Sequence, residues 1–317
     1  SLKYNFVDKP NSRKKHLYPT PLIGGLIIYL NLIFSIYLFE FPNQINLIII
    51  YSGIIIVTGF LDDFYNLTIG SRLLFIFLSC FLLINENLII VNIGSYYDNI
   101  LISLGSFSII FTILCVAGLT NAFNFLDGHD GLLISQTFIS YLFLFIFSFL
   151  FTKQIQFINY YLVILINLIM GFLYNFGFFS KKKIFLGDAG SMFFGFSMGF
   201  LLIFYSQEAN LLYHPILVIW VIAFPIIDFV STITRRIING KNPFYPDRTH
   251  LHHLIYIKTN NKLIVLFIIS LISLALGSFG YYITIQINPL FSLISFVIFV
   301  LIFLFISIFL EKKLVYD

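Results

Sequence analysis

Apolar runs of about 17–25 residues, long enough to cross a ~30 Å hydrocarbon core as helices, recur along nearly the whole chain. They fall near 22–39, 45–61, 72–90, 107–126, 132–151, 157–175, 189–206, 211–234, 263–287 and 290–310. In hydrocarbon a spanning segment must pair its backbone N–H and C=O groups internally, which leaves helices as the natural solution. The expected fold is therefore all-α, a polytopic membrane helix bundle of about ten spans forming a single integral membrane domain over residues 1–317. Composition agrees, with 59% of residues hydrophobic and 10% charged, where a soluble domain carries about 25% charged. The two cysteines, Cys80 and Cys115, sit in apolar runs without metal-type spacing and read as inert buried thiols.

Charge placement orients the bundle. If connections alternate between faces from the basic N-terminal segment onward, every Lys and Arg except Lys153 falls on the side of that segment. The positive-inside rule makes that side cytoplasmic and implies an inner-membrane protein with no nucleic-acid partner. The other side carries short links such as 40–46 and 206–213, and a longer one from about 91 to 106. No soluble domain or signal peptide is visible. Function is thus expected in the cytoplasmic connections, about 62–71, 125–132, 176–188 and 235–262.

The acids follow the same sorting. Asp62 and Asp63, Asp127 and Asp130, Asp188, Asp228 and Asp247 all lie in or beside cytoplasmic connections. An Asp at a helix centre costs about 2.5–3.5 kcal/mol on insertion scales, so such residues call for a cavity, partner or ion. Adjacent carboxylates repel and need a cation, either a metal or a Lys/Arg cluster. Acids simply collecting in polar loops remain the alternative, one that suits Asp247 better than the paired acids.

Three segments have chemical character. On a helix, Asn121, Asn124 and Asp127 share one stripe, with Gly128 and Gly131 allowing a close turn after it. Amide oxygens and carboxylates suit Mg²⁺, although polar stripes also glue helices together. Residues 187–191 (GDAGS) open a membrane helix after three lysines, and such an N-terminus is a natural phosphate site; Asp and Ser there also serve as ordinary caps. Residues 246–253 (PDRTHLHH) bring Arg248, His250, His252 and His253 together. Phosphate or sugar recognition suits this set better than zinc, which lacks further ligands at suitable spacing. His214, on the opposite face, reads as structural.

Together these segments, with 7–16 (VDKPNSRKKH), 59–63 (GFLDD), 121–132 (NAFNFLDGHDGL), 185–191 (FLGDAGS) and 243–253 (PFYPDRTHLHH) in order, resemble the polyprenyl-phosphate N-acetylhexosamine-1-phosphate transferases. That family includes the enzymes initiating O-antigen and enterobacterial common antigen and is related to the phospho-MurNAc-pentapeptide translocases. The H-x-H-H form after Pro-Asp-Arg is similar to the O-antigen branch, which implies UDP-GlcNAc as donor. Three departures stand out. A further N-terminal membrane helix usual in the family is absent, which would fit a trimmed start. Asn66 replaces a frequent third acid, and His129 stands at a commonly aliphatic position.

The resemblance implies that an oxygen of undecaprenyl phosphate attacks the sugar-linked phosphorus of a UDP-N-acetyl sugar and releases UMP, with Mg²⁺ (or Mn²⁺) as cofactor. By motif match Asp188 is the expected metal ligand and Asn124 a second. Asp62 or Asp63 would orient the acceptor phosphate, while Asp127 and Asp130 would shape the nucleotide or metal shell. Arg248, His250, His252 and His253 would hold the donor's phosphates or sugar; Asn121 and Asn175 complete the expected substrate-binding set. A homodimer is the assembly the family suggests. A transporter using intramembrane acids is the rival class, but the acids gather at one face rather than mid-membrane. An inactive family member is the third reading.

Overall fold

A computed structural model of the chain describes residues 1, 6–8, 19–97, 100–152, 154–179, 183–207, 213–243 and 250–315, without the side chains of 152 and 313–315. Most of the basic N-terminal motif, Lys181, Lys182, Asp247 and Arg248 lie outside the described residues. The elements run β1 (Val7–Asp8), β2 (Thr20–Pro21), α1 (Gly24–Leu38), α2 (Asn43–Tyr51), α3 (Gly53–Tyr65), α4 (Ile69–Asn85), β3 (Asn92–Ser95), β4 (Leu101–Ser103) and α5 (Ser108–Leu126). They continue with α6 (Leu132–Phe147), α7 (Ile155–Phe176), α8 (Gly187–Gln207), α9 (Pro215–Val221), α10 (Ala223–Ile238), α11 (Leu251–Thr259), α12 (Lys262–Tyr282) and α13 (Pro289–Val315). Among the described residues the fold is all-α apart from two short antiparallel strand pairs, β1 with β2 and β3 with β4.

Among the described residues, seven helical stretches are long and apolar enough to cross a membrane, or eight if the bent α9–α10 pair is one span. The sequence reading of about ten spans is not reached on this criterion. Each apolar run contains a helix, but α1 has 15 residues and α4 has 17. At 1.5 Å rise per residue these are only about 23 and 26 Å long.

The chain divides into two compact units, residues 1–91 with 104–212, and 92–103 with 213–317. In the first, α8 is the axis: its apolar window is wholly buried, and α1, α3 and α5 pack around it. Small residues permit this, since without hydrophobic drive in lipid, close backbone approach supplies the packing. A Cβ on Gly59 of α3 would lie 2.4 Å from the Cα of Ala189, so only glycine allows α3 to meet the first turn of α8. The start of α1 is tied to the same place by Gly24 N–H to Phe185 O (2.9 Å) and Gly25 N–H to Leu186 O (3.0 Å). Farther along, buried hydroxyls join α7 to α8, with Tyr161 donating to Tyr205 at 2.7 Å.

In the second unit, α9 and α10 meet at Ile222 with an 81° bend. Pro225 lies in the first turn of α10, where a missing N–H costs no helix bond. The core forms around Trp220, against Phe279, Phe296 and Phe299, with its indole N–H donating to Ser292 at 2.9 Å.

Candidate active site

In the first unit the site grows from the N-terminus of α8. Gly187 has φ +72°, and a Cβ there would lie 2.5 Å from Oδ2 of Asp63. Asp63, in the last turn of α3, is thereby free to cap α8: its Oδ1 accepts from Asp188 N–H at 3.0 Å and its Oδ2 from Ala189 N–H at 3.4 Å. Both bonds meet orphan N–H groups at the positive end of the helix dipole. Asp188 turns its Oδ1 toward Asn124 of α5, whose Nδ2 donates to it at 2.8 Å and lies 2.9 Å from Ser191 Oγ. Asp188 interacts electrostatically with both Asp62 and Asp63, and Asp127 with Asp63. Two helices, α3 and α8, and the turn after α5 therefore bring four of the expected acids into one field.

Asp62 is buried, with Oδ1 accepting from Leu67 N–H at 2.7 Å and Oδ2 3.1 Å from Arg72 Nη1 of α4. That Oδ2 makes no hydrogen bond of good geometry although it is shielded from water. Asn66, in place of a frequent third acid, is exposed with φ +49° and ends α3 by donating its N–H to Asp62 O at 2.9 Å. Asn tolerates this left-handed cap better than most side chains.

The remaining candidates separate. Asp130 is paired with Lys183 at 2.6 Å. Asn121 donates back to Ala117 O of its own helix at 2.8 Å, whereas Asn124, on the same stripe, donates to Asp188. Asn175, near the end of α7, donates to Ile184 O at 3.2 Å and keeps a buried Oδ1 without a hydrogen-bond partner. Gly131, at φ +75°, makes the turn into α6 that its type predicts. His129 sits half-buried in that turn, its carbonyl accepting from Leu132 N–H at 3.1 Å.

In the second unit His250, His252 and His253 surround the start of α11. The rings of His250 and His252 stack at 5.3 Å, and those of His252 and His253 lie 4.2 Å apart. His250 is buried against Asp228 of α10, with Nδ1 to Oδ2 at 2.8 Å, and Asp228 Oδ1 accepts from Leu251 N–H at 3.1 Å. Arg235 is paired with Glu311 of α13 at 2.9 Å and donates to Thr232 Oγ1 at 3.1 Å. The sequence marks Asp228 only as a costly acid beside an apolar run; nothing in its spacing ties it to the histidines. Nor does local spacing mark the partners of Arg72, Lys183 and Ser191, because each contact joins segments distant in sequence or lying on different elements.

A divalent cation fits the acidic cluster by donor type: the carboxylates of Asp62, Asp63 and Asp188 converge there and repel one another, and the Arg72 pair on Asp62 offsets part of that charge. Asn124 turns its amide nitrogen to Asp188, which leaves only its carbonyl oxygen as a ligand atom.

These features define a multi-pass membrane protein whose carboxylates and amides gather at the N-terminus of a fully buried helix. Residues 45–206 match glycosyl transferase family 4. The chain is 30% identical over 257 residues to an undecaprenyl-phosphate alpha-N-acetylglucosaminyl 1-phosphate transferase of Escherichia coli (strain K12), a match covering 80% of this chain and 70% of the relative. Like-named proteins of Yersinia pestis and Pasteurella multocida are each 30% identical, over 261 and 259 residues, covering 80% of this chain and 70% and 71% of the relatives. The chain belongs to glycosyl transferase family 4.

Proposed function

We propose that this chain transfers N-acetylhexosamine 1-phosphate, with GlcNAc 1-phosphate the first candidate, from a UDP-sugar to undecaprenyl phosphate. An oxygen of the lipid phosphate forms a bond to the sugar-linked phosphorus; the diphosphate P–O bond breaks, and UMP leaves. The product is the first lipid-linked sugar of a surface glycan, made at the cytoplasmic face of a bacterial inner membrane. The observation that carries this reading is the convergence of Asp63, Asp188 and Asn124 on the first turn of α8, in a chain whose relatives bear the name of that activity.

Both substrates are anions, so charge neutralisation and positioning are the main catalytic needs. Mg²⁺ is the cofactor assigned, with Mn²⁺ as a substitute; bound, it would offset the charge of the diphosphate and of the leaving UMP. Asp188 is its assigned ligand, and Asn124 steadies that carboxylate through Nδ2 and offers its carbonyl oxygen. Asp63 fixes the first turn of α8. Asp62, held by Arg72, orients the acceptor phosphate; that phosphate's second pKa near 6 leaves little proton to remove at neutral pH. Asp127 and Asp130 shape the nucleotide and metal surroundings, and Asn121 and Asn175 contribute to substrate binding. His250, His252 and His253 hold the donor's phosphates or sugar; Arg248, outside the described residues, carries the same assignment from the motif.

The test is UMP release by the purified chain given undecaprenyl phosphate, UDP-GlcNAc and Mg²⁺, with and without EDTA. Lipid-dependent, EDTA-sensitive release is expected. Release that ignores the lipid or the chelator would overturn the acceptor or the cofactor assignment. No release with any UDP-N-acetyl sugar by demonstrably folded protein would overturn the activity.

A further inference from the structure

We infer that Asp228 is a positioning residue for the transfer reaction, acting through His250. The inference rests on the donor-binding assignment of the histidine segment made above. Asp228 is 1% exposed and His250 4% exposed, so their contact is shielded from water and competing donors. The carboxylate receives two donors, one on each oxygen: Leu251 N–H on Oδ1 at 3.1 Å, and the His250 ring through Nδ1 on Oδ2 at 2.8 Å. Since a carboxylate only accepts, Nδ1 carries the proton, and Nε2 is left as the acceptor nitrogen of the ring. The first bond fixes where α11 begins and the second fixes which way the ring faces, so one side chain sets both position and tautomer.

The support extends behind Asp228. Thr232 Oγ1, one helical turn on, lies 3.2 Å from the same Nδ1 and accepts from Arg235 at 3.1 Å. Arg235 is held in turn by Glu311 at 2.9 Å. A chain of buried polar groups thus runs from α13 through α10 to the ring. Such a chain rewards complete satisfaction and is costly to break. A carboxylate that orients a histidine in this way governs the geometry of whatever the other ring nitrogen holds.

Asp228→Asn is the discriminating change because it keeps the shape. Asn has one acceptor oxygen where Asp228 has two. Its amide nitrogen must face either Leu251 N–H, which is a clash of donors, or Nδ1, which forces the ring into its other tautomer.

The experiment compares purified wild type, Asp228→Asn, His250→Gln and the double variant. It reads UMP release with undecaprenyl phosphate, UDP-GlcNAc and Mg²⁺, and ¹⁵N spectra of histidine-labelled protein. Asp228→Asn is expected to lower kcat/KM for UDP-GlcNAc by about 10–100-fold, the range for losing an orienting partner of a functional histidine in metal sites. The KM for undecaprenyl phosphate should stay unchanged. The double variant should be no worse than His250→Gln alone, as for two residues acting as one unit. A ¹⁵N signal of an Nδ1-protonated ring, absent in His250→Gln, should shift or vanish in Asp228→Asn. Multiplying defects, or a His250 signal untouched by Asp228→Asn, would overturn the inference, the latter even where no UMP is released. Full activity of His250→Gln would instead overturn the donor-binding assignment of His250, and the inference with it.

Discussion

At the scale of single residues, the turn from Gly187 to Asp188 concentrates the chemistry. Asp188 is held by Asn124 while Asp63 grips the backbone beneath it, so its carboxylate is positioned before any ligand arrives. Asp188→Asn removes one negative charge and leaves the side chain its shape. UMP release is expected to fall at least about 100-fold, the scale of a lost electrostatic stabiliser, with detergent-extracted protein still monodisperse. Near-normal turnover of that variant would sink the metal assignment. Gly187→Ala probes the support instead. A left-handed φ costs an L-residue about 1–2 kcal/mol, and the added Cβ would press on Asp63. A lower thermal midpoint and reduced activity together are expected; an unchanged midpoint would mean that the turn relaxes freely. Asp62 and Asp63 are legible in the sequence as adjacent acids that call for a cation, and Asn124 and Asp188 through the polar stripe, the GDAGS helix start and the family resemblance. Their contacts are not: Arg72 and Asp228 find partners on neighbouring elements and Lys183 on the turn before α6, which no local spacing encodes. For Asn121, helical spacing places the residue on the stripe of Asn124, but it does not dictate that the amide turns back to Ala117 O.

At the scale of elements, the apolar runs predicted the helices well but could not reveal the break at Ile222, because the hydropathy of 211–234 is continuous across it. His214, read from the sequence as structural, shows how that broken pair begins. Its Nδ1 accepts from Ile216 N–H at 3.2 Å as the N-cap of α9, and its Nε2 meets Ser95 O at 3.1 Å. Those partners require a neutral ring protonated at Nε2. Partial burial lowers its pKa from the ordinary 6.5, against a smaller raising effect of the Ser95 carbonyl. The unfolded chain therefore takes up this proton at higher pH than the folded one. The contribution of His214 to stability is complete above about 6.5 and declines as pH falls below it. His214→Asn keeps an acceptor at a cap position that favours Asn but cannot titrate. Between pH 7.5 and 5.5 the thermal midpoint of wild type should fall further than that of the variant; parallel curves would assign the acid sensitivity elsewhere.

At the scale of the whole molecule, charge sorting makes a claim about sidedness that the helices allow to be tested. The pair α12–α13 carries Lys258 just before its first helix, Lys262 at the start of that helix, and Lys312 and Lys313 at the end of its second, with no cation at the turn between. The stretch 262–287 has 26 residues, about 39 Å of helix, enough to carry the turn to the opposite face. Lysines resist crossing while a turn of Gln286 and Asn288 does not, so the positive-inside rule places Lys258 in the cytoplasm and Gln286 outside. Cysteines at these two exposed positions, in a chain whose Cys80 and Cys115 are replaced by serine, would report on each face. In spheroplasts a membrane-impermeant maleimide should label Gln286→Cys directly and Lys258→Cys only after the membrane is permeabilised. The reverse pattern would put the histidine segment, which leads through α11 to Lys258, on the face where no nucleotide sugar is made. That would remove the donor assignment at its root, because a UDP-sugar must reach those side chains from the cytoplasm.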